Sequence, residues 1–371
     1  MATVCAPALV WPDHLISQQA MAHAVADRHR GLPHLDRGLQ VILNTEVATR
    51  HLIRPLADTL QPGPFGARNE LYAEHAVRLG TQAATQALAA AQLEVADVDC
   101  LVVVSCTGYM LPGPDAHIAN RLGLKPTVRR LPIQQLGCAA GASALAHAHD
   151  YLRAHPLRLA DARPPNALVV AVELCSLSYQ PAKTSLSDFI STGLFGDGAG
   201  AVVVRGDDQA PGVRLLANAQ HLLADSTQVI AGTTSELGFH FATHPTVRGA
   251  VPQVLPAVAA FLTQRGRTPG DLEFMICHTG GPAVLRGVQE GLGLAPGLLG
   301  LSWQSLREVG NVSSVVVLDV LRRTFDQQRP RDGALGLILA FGPGFTSEML
   351  LGTWQEKRSC FPKVQASRLG G

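Results

Sequence analysis

The chain has 371 residues, 47% of them hydrophobic and 16% charged, with a formal net charge of +1. That length accommodates two domains or one large two-lobed domain, and the composition suits a globular fold with a sizeable core. With 30 basic residues against 29 acidic ones, nothing points to a nucleic-acid or acidic-surface partner. The seven cysteines, at 5, 100, 106, 138, 175, 277 and 360, include no CxxC pair, so neither a zinc site nor a disulfide framework is expected. Most sit in apolar runs, which fits reduced thiols in a cytoplasmic protein. The N-terminus lacks a charged segment ahead of an apolar core, so no signal peptide is expected. No run of about 18 apolar residues occurs, so neither is a membrane span.

Residues 2–10 read as a first strand, and Ser17 is placed to cap a helix. Residues 38–54 mix apolar and basic side chains, and the Pro- and Gly-rich stretch 55–68 reads as a loop. Apolar spacing over 69–93 predicts a helix. Asp99-Cys-Leu-Val-Val-Val-Ser105 is a continuous β-branched run, the mark of a strand covered on both faces. A loop over 106–115 leads to a short helix ending near Leu122. Next come a strand end at Leu131-Pro-Ile, a turn eased by Gly137 and Gly141, and an Ala-rich run to Arg153 with strong helix propensity. Residues 155–166 read as a surface connection, 167–173 as a buried strand, and 195–204 as a glycine turn running into a strand. In the second half, strands are expected at 213–219 and 237–243 around a polar loop, then a helix at 251–266 and a strand at 272–278. A helix at 283–292, a long apolar helix at 311–325 and a strand at 333–341 follow. A flexible tail is expected from about Gln355. Strands alternating with helices in both halves predict an α/β fold with both sheet faces covered.

Three polar residues stand where such folds place ligands, at strand ends and helix starts beside glycines: Cys138, His278 and Asn311. Cys138 lies at a turn-to-helix junction, where the helix dipole lowers a thiol's pKa and favours the nucleophilic thiolate. The same turn also suits a buried structural cysteine. A Cys and a His brought together from distant positions suit nucleophilic catalysis on a thioester. A neutral imidazole N–H and a carboxamide can donate two hydrogen bonds to a developing enolate or oxyanion. Singly, His278 also reads as a core histidine and Asn311 as a helix N-cap. The run Phe195-Gly-Asp-Gly-Ala-Gly200 precedes a strand rather than a helix, so it lacks the context of a dinucleotide site. His147 and His149 read as solvated.

Gln134-Gln-Leu-Gly-Cys-Ala-Ala-Gly141 resembles the nucleophile motif of the type III polyketide synthases, the chalcone-synthase-like family. Leu194-Phe-Gly-Asp-Gly198, His278-Thr-Gly-Gly-Pro282, Gly310-Asn-Val-Ser313 and Phe341-Gly-Pro-Gly344 resemble that family in the same order. The likeness runs in register from about residue 3 to 354. It implies a thiolase-like α/β fold of duplicated βαβαβαββ halves, with helices packed between and outside two mixed sheets. Residues 1–212 would carry the nucleophile and 213–354 the histidine and asparagine, with 355–371 as a tail. On this pattern Cys138 takes an acyl group from a CoA thioester. His278 and Asn311 bind the thioester carbonyl of malonyl-CoA and stabilise the enolate formed as CO₂ leaves. Repeated extension and cyclisation follow. The resemblance implies acyl-CoA and malonyl-CoA as substrates, no metal or redox cofactor, and a homodimer in which Leu111 reaches the partner's cavity. Phe195 and Phe241 match the family's gatekeeping phenylalanines, and Cys106, Cys175, Ser178, Gly232, Ser313 and Pro343 match cavity positions. Gly280, Gly281 and Ala283 match backbone contacts to CoA. Arg37 or Arg50 would meet its phosphates, since Gln40 and Asn44 stand where basic residues are usual.

The cavity positions are similar to those of bacterial tetrahydroxynaphthalene and phloroglucinol synthases, which use malonyl-CoA alone. Those enzymes carry a tyrosine where this chain has Gly232, and loss of the phenol opens volume. The expected starter is therefore a fatty acyl-CoA giving an alkylpyrone or resorcinol-type product. The alternative is a malonyl-primed 1,3,6,8-tetrahydroxynaphthalene or phloroglucinol synthase. Gly232 would alternatively only meet a turn's need for positive φ. Two further readings share the fold: a single-condensation ketoacyl-ACP synthase III, and a non-catalytic CoA-binding scaffold. The His278-Thr-Gly-Gly-Pro282 and Phe341-Gly-Pro-Gly344 segments speak against the first, and retention of Cys138, His278 and Asn311 against the second.

Overall fold

Residues 2–155, 163–207, 210–243 and 246–356 are described in the computed structural model. The first half runs β1 (Thr3–Val4), β2 (Ala8–Val10), β3 (His14–Ser17), α1 (Gln18–Arg28), α2 (Leu35–Leu43), β4 (Thr49–Leu52), α3 (Leu56–Thr59) and α4 (Phe65–Ala90). It continues with β5 (Val98–Val104), α5 (Pro114–Leu122), β6 (Arg129–Ile133), α6 (Ala140–Ala154), β7 (Asn166–Leu174), α7 (Leu186–Leu194) and β8 (Asp197–Arg205). The second half runs β9 (Gly212–Leu222), β10 (Ile230–Ser235), β11 (Gly238–Thr243), α8 (Val247–Thr263), β12 (Phe274–Cys277) and α9 (Pro282–Gly291). It ends with α10 (Gly300–Val309), α11 (Val316–Arg323), β13 (Leu335–Gly342) and β14 (Thr346–Gln355).

The continuous apolar strands are buried on both faces, as their composition predicts. Along β5, Cys100, Val102 and Val104 face one cluster with α6 and α11, while Leu101 and Val103 face α4 on the other side. Along β13, Ile338 and Ala340 join the same central cluster, and Leu337, Leu339 and Phe341 face α8 and α9. This period-2 partition puts α6 and α11 between two sheet wings and the remaining helices outside them. β5 is parallel to β6 and β7, and β12 to β13. The expected pair of sheets is joined through β1, which pairs with both β8 and β9. The result is one ten-stranded sheet in the order β12-β13-β14-β9-β1-β8-β7-β5-β6, with β2 on β8.

Several elements depart from the sequence reading. α4 begins at Phe65, inside the expected loop, because Pro64 opens the helix as its N-cap. The polar stretch 230–235 is a strand, β10, paired with β11 in a hairpin separate from the main sheet. Polar side chains suit it because most of it is exposed. α2, β4, α7, α10 and β14 were not anticipated either. His149 is a correction: it is buried, and Asn218 Nδ2 lies 2.9 Å from its Nδ1. Part of the expected connection, 156–162, and the tail from 357 lie outside the described residues.

Candidate active site

The two wings bring their strand ends together around a cavity of about 240 Å³. Cys138, His278 and Asn311 all line it, with Cys106, Cys175, Phe195, Gly232, Phe241, Gly280, Ser313 and Pro343. Cys138 sits in a single 3₁₀ turn, Gly137–Ala139, that follows β6 and feeds α6; Gly137 takes φ +51° to make the bend. A Cβ on Gly141, one turn further on, would be driven into the Ser314 carbonyl oxygen. The helix behind Cys138 can therefore approach the Asn311 turn only because this position has no side chain.

Asn311 follows Gly310, which has φ +72°. Its backbone is fixed on both sides: its N–H donates to Leu194 O at 2.8 Å, and its carbonyl accepts from Gly196 N–H at 3.1 Å. Its Oδ1 accepts from Ser313 N–H at 2.8 Å. The helix-cap reading is corrected: the 3₁₀ turn Ser313–Val315 is capped at Val312 without a side-chain bond, and Asn311 Oδ1 instead closes a local turn, which leaves Nδ2 turned to Cys138 Sγ, 3.9 Å away. The oxygen is spent on the turn, and the nitrogen is left to face the thiol.

His278 follows β12 directly, and its N–H donates to Leu339 O at 2.9 Å. The residue is 3% exposed, and among the described residues neither ring nitrogen makes a hydrogen bond. Burial pushes its pKa down to about 4, with the neighbouring Asn311 acting the other way. The imidazole is therefore neutral, with one N–H free to donate and one nitrogen free to accept. Two unpartnered polar atoms buried in a cavity wall are costly unless something docks against them.

The expectation of a low-pKa thiol at Cys138 is corrected. Burial raises it to about 11; Ser313 and Asn311 pull it down, and buried Glu173 pushes it up. Desolvation outweighs the helix terminus here because the sulfur stands in the wall of a largely apolar cavity. Glu173 went unnoticed in the sequence, although a carboxylate inside the run Ala167-Leu-Val-Val-Ala-Val-Glu173 was a signal. It is fully buried and accepts from Ser314 Oγ at 2.6 Å, Cys106 N–H at 3.1 Å and Ser313 Oγ at 3.3 Å. Burial raises its pKa against those bonds. Phe239 also lines the cavity and was missed; its alternation with Phe241 along β11 was the available clue.

Other positions are not brought to the cavity. Arg50 is wholly buried, donating to the carbonyls of Thr192 (2.8 Å), Gly193 (2.7 Å) and Phe195 (3.2 Å) and to Gln18. It caps the end of α7 and cannot meet a CoA phosphate; burial lowers even its pKa, to about 9. Arg37 is exposed on α2 and does not line the cavity. Ser178 lines two neighbouring pockets instead, its hydroxyl donating to Cys175 O at 2.7 Å. Gly281, with φ +120°, caps α9, and Ala283 lies in its first turn; neither lines the cavity. Leu111 is 99% exposed. Gly232 lies within β10 and is not among the positive-φ glycines, so no turn requires it. A Cβ there would come within 2.5 Å of the Phe239 ring.

Among the described residues, no helix is long and apolar enough to cross a membrane. Residues 43–208 match the family model described as chalcone and stilbene synthases, N-terminal domain, and residues 214–353 match its C-terminal domain. A 1,3,6,8-tetrahydroxynaphthalene synthase of Streptomyces coelicolor is 40% identical over 355 residues, covering 96% of this chain and 93% of that protein. A phloroglucinol synthase of Pseudomonas fluorescens is 39% identical over 355 residues, covering 95% of this chain and 99% of the relative. The crystal structure of the Streptomyces coelicolor tetrahydroxynaphthalene synthase superposes with a TM-score of 0.91 at 39% identity, covering 95% of this chain and 99% of that one.

Proposed function

The chain belongs to the chalcone and stilbene synthase family and is a type III polyketide synthase, and from that premise we propose that Cys138, His278 and Asn311 carry its decarboxylative condensation. Such enzymes work on CoA thioesters without a further cofactor. The observation that carries the assignment is the convergence in one cavity of the thiol, a carboxamide Nδ2 3.9 Å from it, and a neutral imidazole with no partner of its own. Cys138 Sγ attacks the starter thioester, its proton passes to His278, and the proton leaves with the CoA thiolate. Malonyl-CoA then docks with its thioester carbonyl on the His278 N–H and Asn311 Nδ2. As CO₂ departs, its bonding pair becomes an enolate held by those two donors. The carbanion attacks the acyl carbonyl on Cys138, the thiolate leaves, and the chain is two carbons longer. The nucleophile from 1–212 and the two donors from 213–354 make the site a junction of the two halves.

For the starter, malonyl-CoA itself is the reading the cavity supports best. The volume that Gly232 would open is taken by the Phe239 ring, which packs on Tyr109 and Phe241 with centroids 6.3 and 5.9 Å apart. The named relatives make a tetrahydroxynaphthalene and a phloroglucinol. The fatty-acyl reading keeps one supporting observation, the apolar wall formed by Ile230, Val247, Val284 and Phe345. Incubation with malonyl-CoA alone, and with added acetyl-CoA or C8–C16 acyl-CoA, separates them. A naphthol or phloroglucinol from malonyl-CoA alone supports the first; products formed only with long starters support the second. A homodimer is part of the same reading: β6 is an exposed edge strand, a ready template for pairing, and Leu111 protrudes. Analytical ultracentrifugation giving a monomer would remove it.

A further inference from the structure

One wall of the cavity is a hairpin whose strands, β10 and β11, pair among the described residues only with each other. A lone two-stranded hairpin is marginal in water, so side-chain contacts must fix where it sits. Gln180 Nε2 donates to the carbonyls of Leu237, Gly238 and Phe239, and Arg68 to that of Leu237. These hold the turn end. Near Phe241 the tether is different. Phe239 and Phe241 line the cavity, and His240 between them points the other way, towards α7. Its Nε2 lies 2.7 Å from Asp188 Oδ1, and the two side chains are 17% and 11% exposed. The other Asp188 oxygen accepts from Ser185 N–H at 2.8 Å and Ser185 Oγ at 2.6 Å, the capping box of α7. Burial opposes ionisation of Asp188, but the bonds from His240 and Ser185 outweigh it and keep the carboxyl below its usual range.

The two elements joined by this bond each carry one ring of the gate. Phe241 follows His240 directly, and Phe195 is the C-cap of α7, two turns beyond Asp188. The rings meet edge to face with centroids 4.8 Å apart. They also stand between the main cavity and a second one of about 60 Å³, whose wall includes His240, Asp188 and Ser191 and which shares Cys175, Phe195 and Phe241 with the first.

We propose that the His240–Asp188 bond is the positioning contact that sets the spacing of Phe195 and Phe241, and thereby the length of acyl chain the site accepts. The inference rests on the reading of the main cavity as the condensation site. His240 touches no reacting atom; it acts through Phe241. With the bond made, the rings close the second cavity off; with it broken, the hairpin is free to shift and the two volumes join.

The test compares two variants of the full chain. His240→Leu keeps the side-chain bulk and removes the bond, whereas His240→Gln keeps an Nε2–H donor to Asp188. The readout is kcat/KM for priming by octanoyl-CoA relative to priming by malonyl-CoA, with malonyl-CoA as extender in both. Loss of a buried bond to a charged group should move that ratio about tenfold towards octanoyl-CoA in the Leu variant, while the Gln variant keeps the unmodified protein's ratio. An unchanged ratio in both variants overturns the proposal, as does a Gln variant that behaves like the Leu variant. An insoluble Leu variant beside a native Gln variant would assign the bond to folding and overturn it too. Absence of any condensation by the unmodified protein would instead overturn the reading on which the inference rests.

Discussion

The floor of the cavity and its hairpin wall are built by different means. On the floor, backbone places the functional groups: His278 N–H on Leu339 O, Asn311 N–H on Leu194 O, and α6 packed so close to the Asn311 turn that Gly141 has no room for a Cβ. These positions follow from the sheet and leave little latitude. Among the described residues the hairpin has no ladder bond to the main sheet and is held by side chains, among them Arg68, Gln180 and His240. The floor is suited to chemistry common to every extension step, and the wall to what a single substitution can tune, the shape of the chain being made.

That division can be broken or sharpened by experiment. The largest effect should come from Cys138→Ala, which removes the sulfur proposed to carry the chain. Condensation should fall by at least about 10³-fold, the scale seen when a covalent nucleophile is removed, while malonyl-CoA decarboxylation, read by CO₂ release, persists. Asn311→Ala should cost about 10²–10³ in decarboxylation, as for loss of one oxyanion donor; retention of wild-type rates would remove Asn311 from the site. Gly141→Ala should destabilise by about 3 kcal/mol, since neither backbone segment can give way, and should lower Tm. Gly249→Ala, where an added Cβ meets nothing within 4 Å, should shift stability by less than about 1 kcal/mol. Equal Tm values in the two variants would refute the close-packed floor.

A pH experiment isolates His278. Its pKa in the fold is about 4 against about 6.5 unfolded. The unfolded chain therefore binds the extra proton first, and the stability tied to neutral His278 is lost as pH falls from about 6.5 towards 4. Buried Asp197 and Glu348, raised to about 6 and 7, act with the opposite sign, losing stability as pH rises through the same range. The comparison must therefore be made with His278→Gln. Between pH 6.5 and 5 the unmodified protein should lose about 1.5 kcal/mol more than the variant, read from denaturant midpoints at each pH. The smallest effect is expected at the wall: Phe239→Ala should free the space beside Gly232 and raise priming by octanoyl-CoA relative to malonyl-CoA by about tenfold, the equivalent of burying one or two more methylenes. A ratio that stays put would mean that the hairpin does not gauge chain length.

Much of this was legible in the chain itself. Continuous apolar runs such as 99–105 and 333–341 can only be strands covered on both faces, and polar residues next to glycines at the ends of such runs mark the positions that backbone alone delivers to a site. The sequence singled out Cys138, His278 and Asn311 in this way, and the fold brings all three to one cavity, because their placement depends on local backbone geometry. The tertiary structure alone decided whatever depends on what packs from a distance. Arg50 has the composition of a phosphate ligand but is sealed beneath α7, and His149 on an Ala-rich helix is covered by β9. Cys138 stands before a helix yet has a raised pKa, because desolvation is set by every neighbour at once and a helix terminus by only a few residues. Gly232 read alone implied an opening, and only the fold places the Phe239 ring against the spot a Cβ at 232 would take.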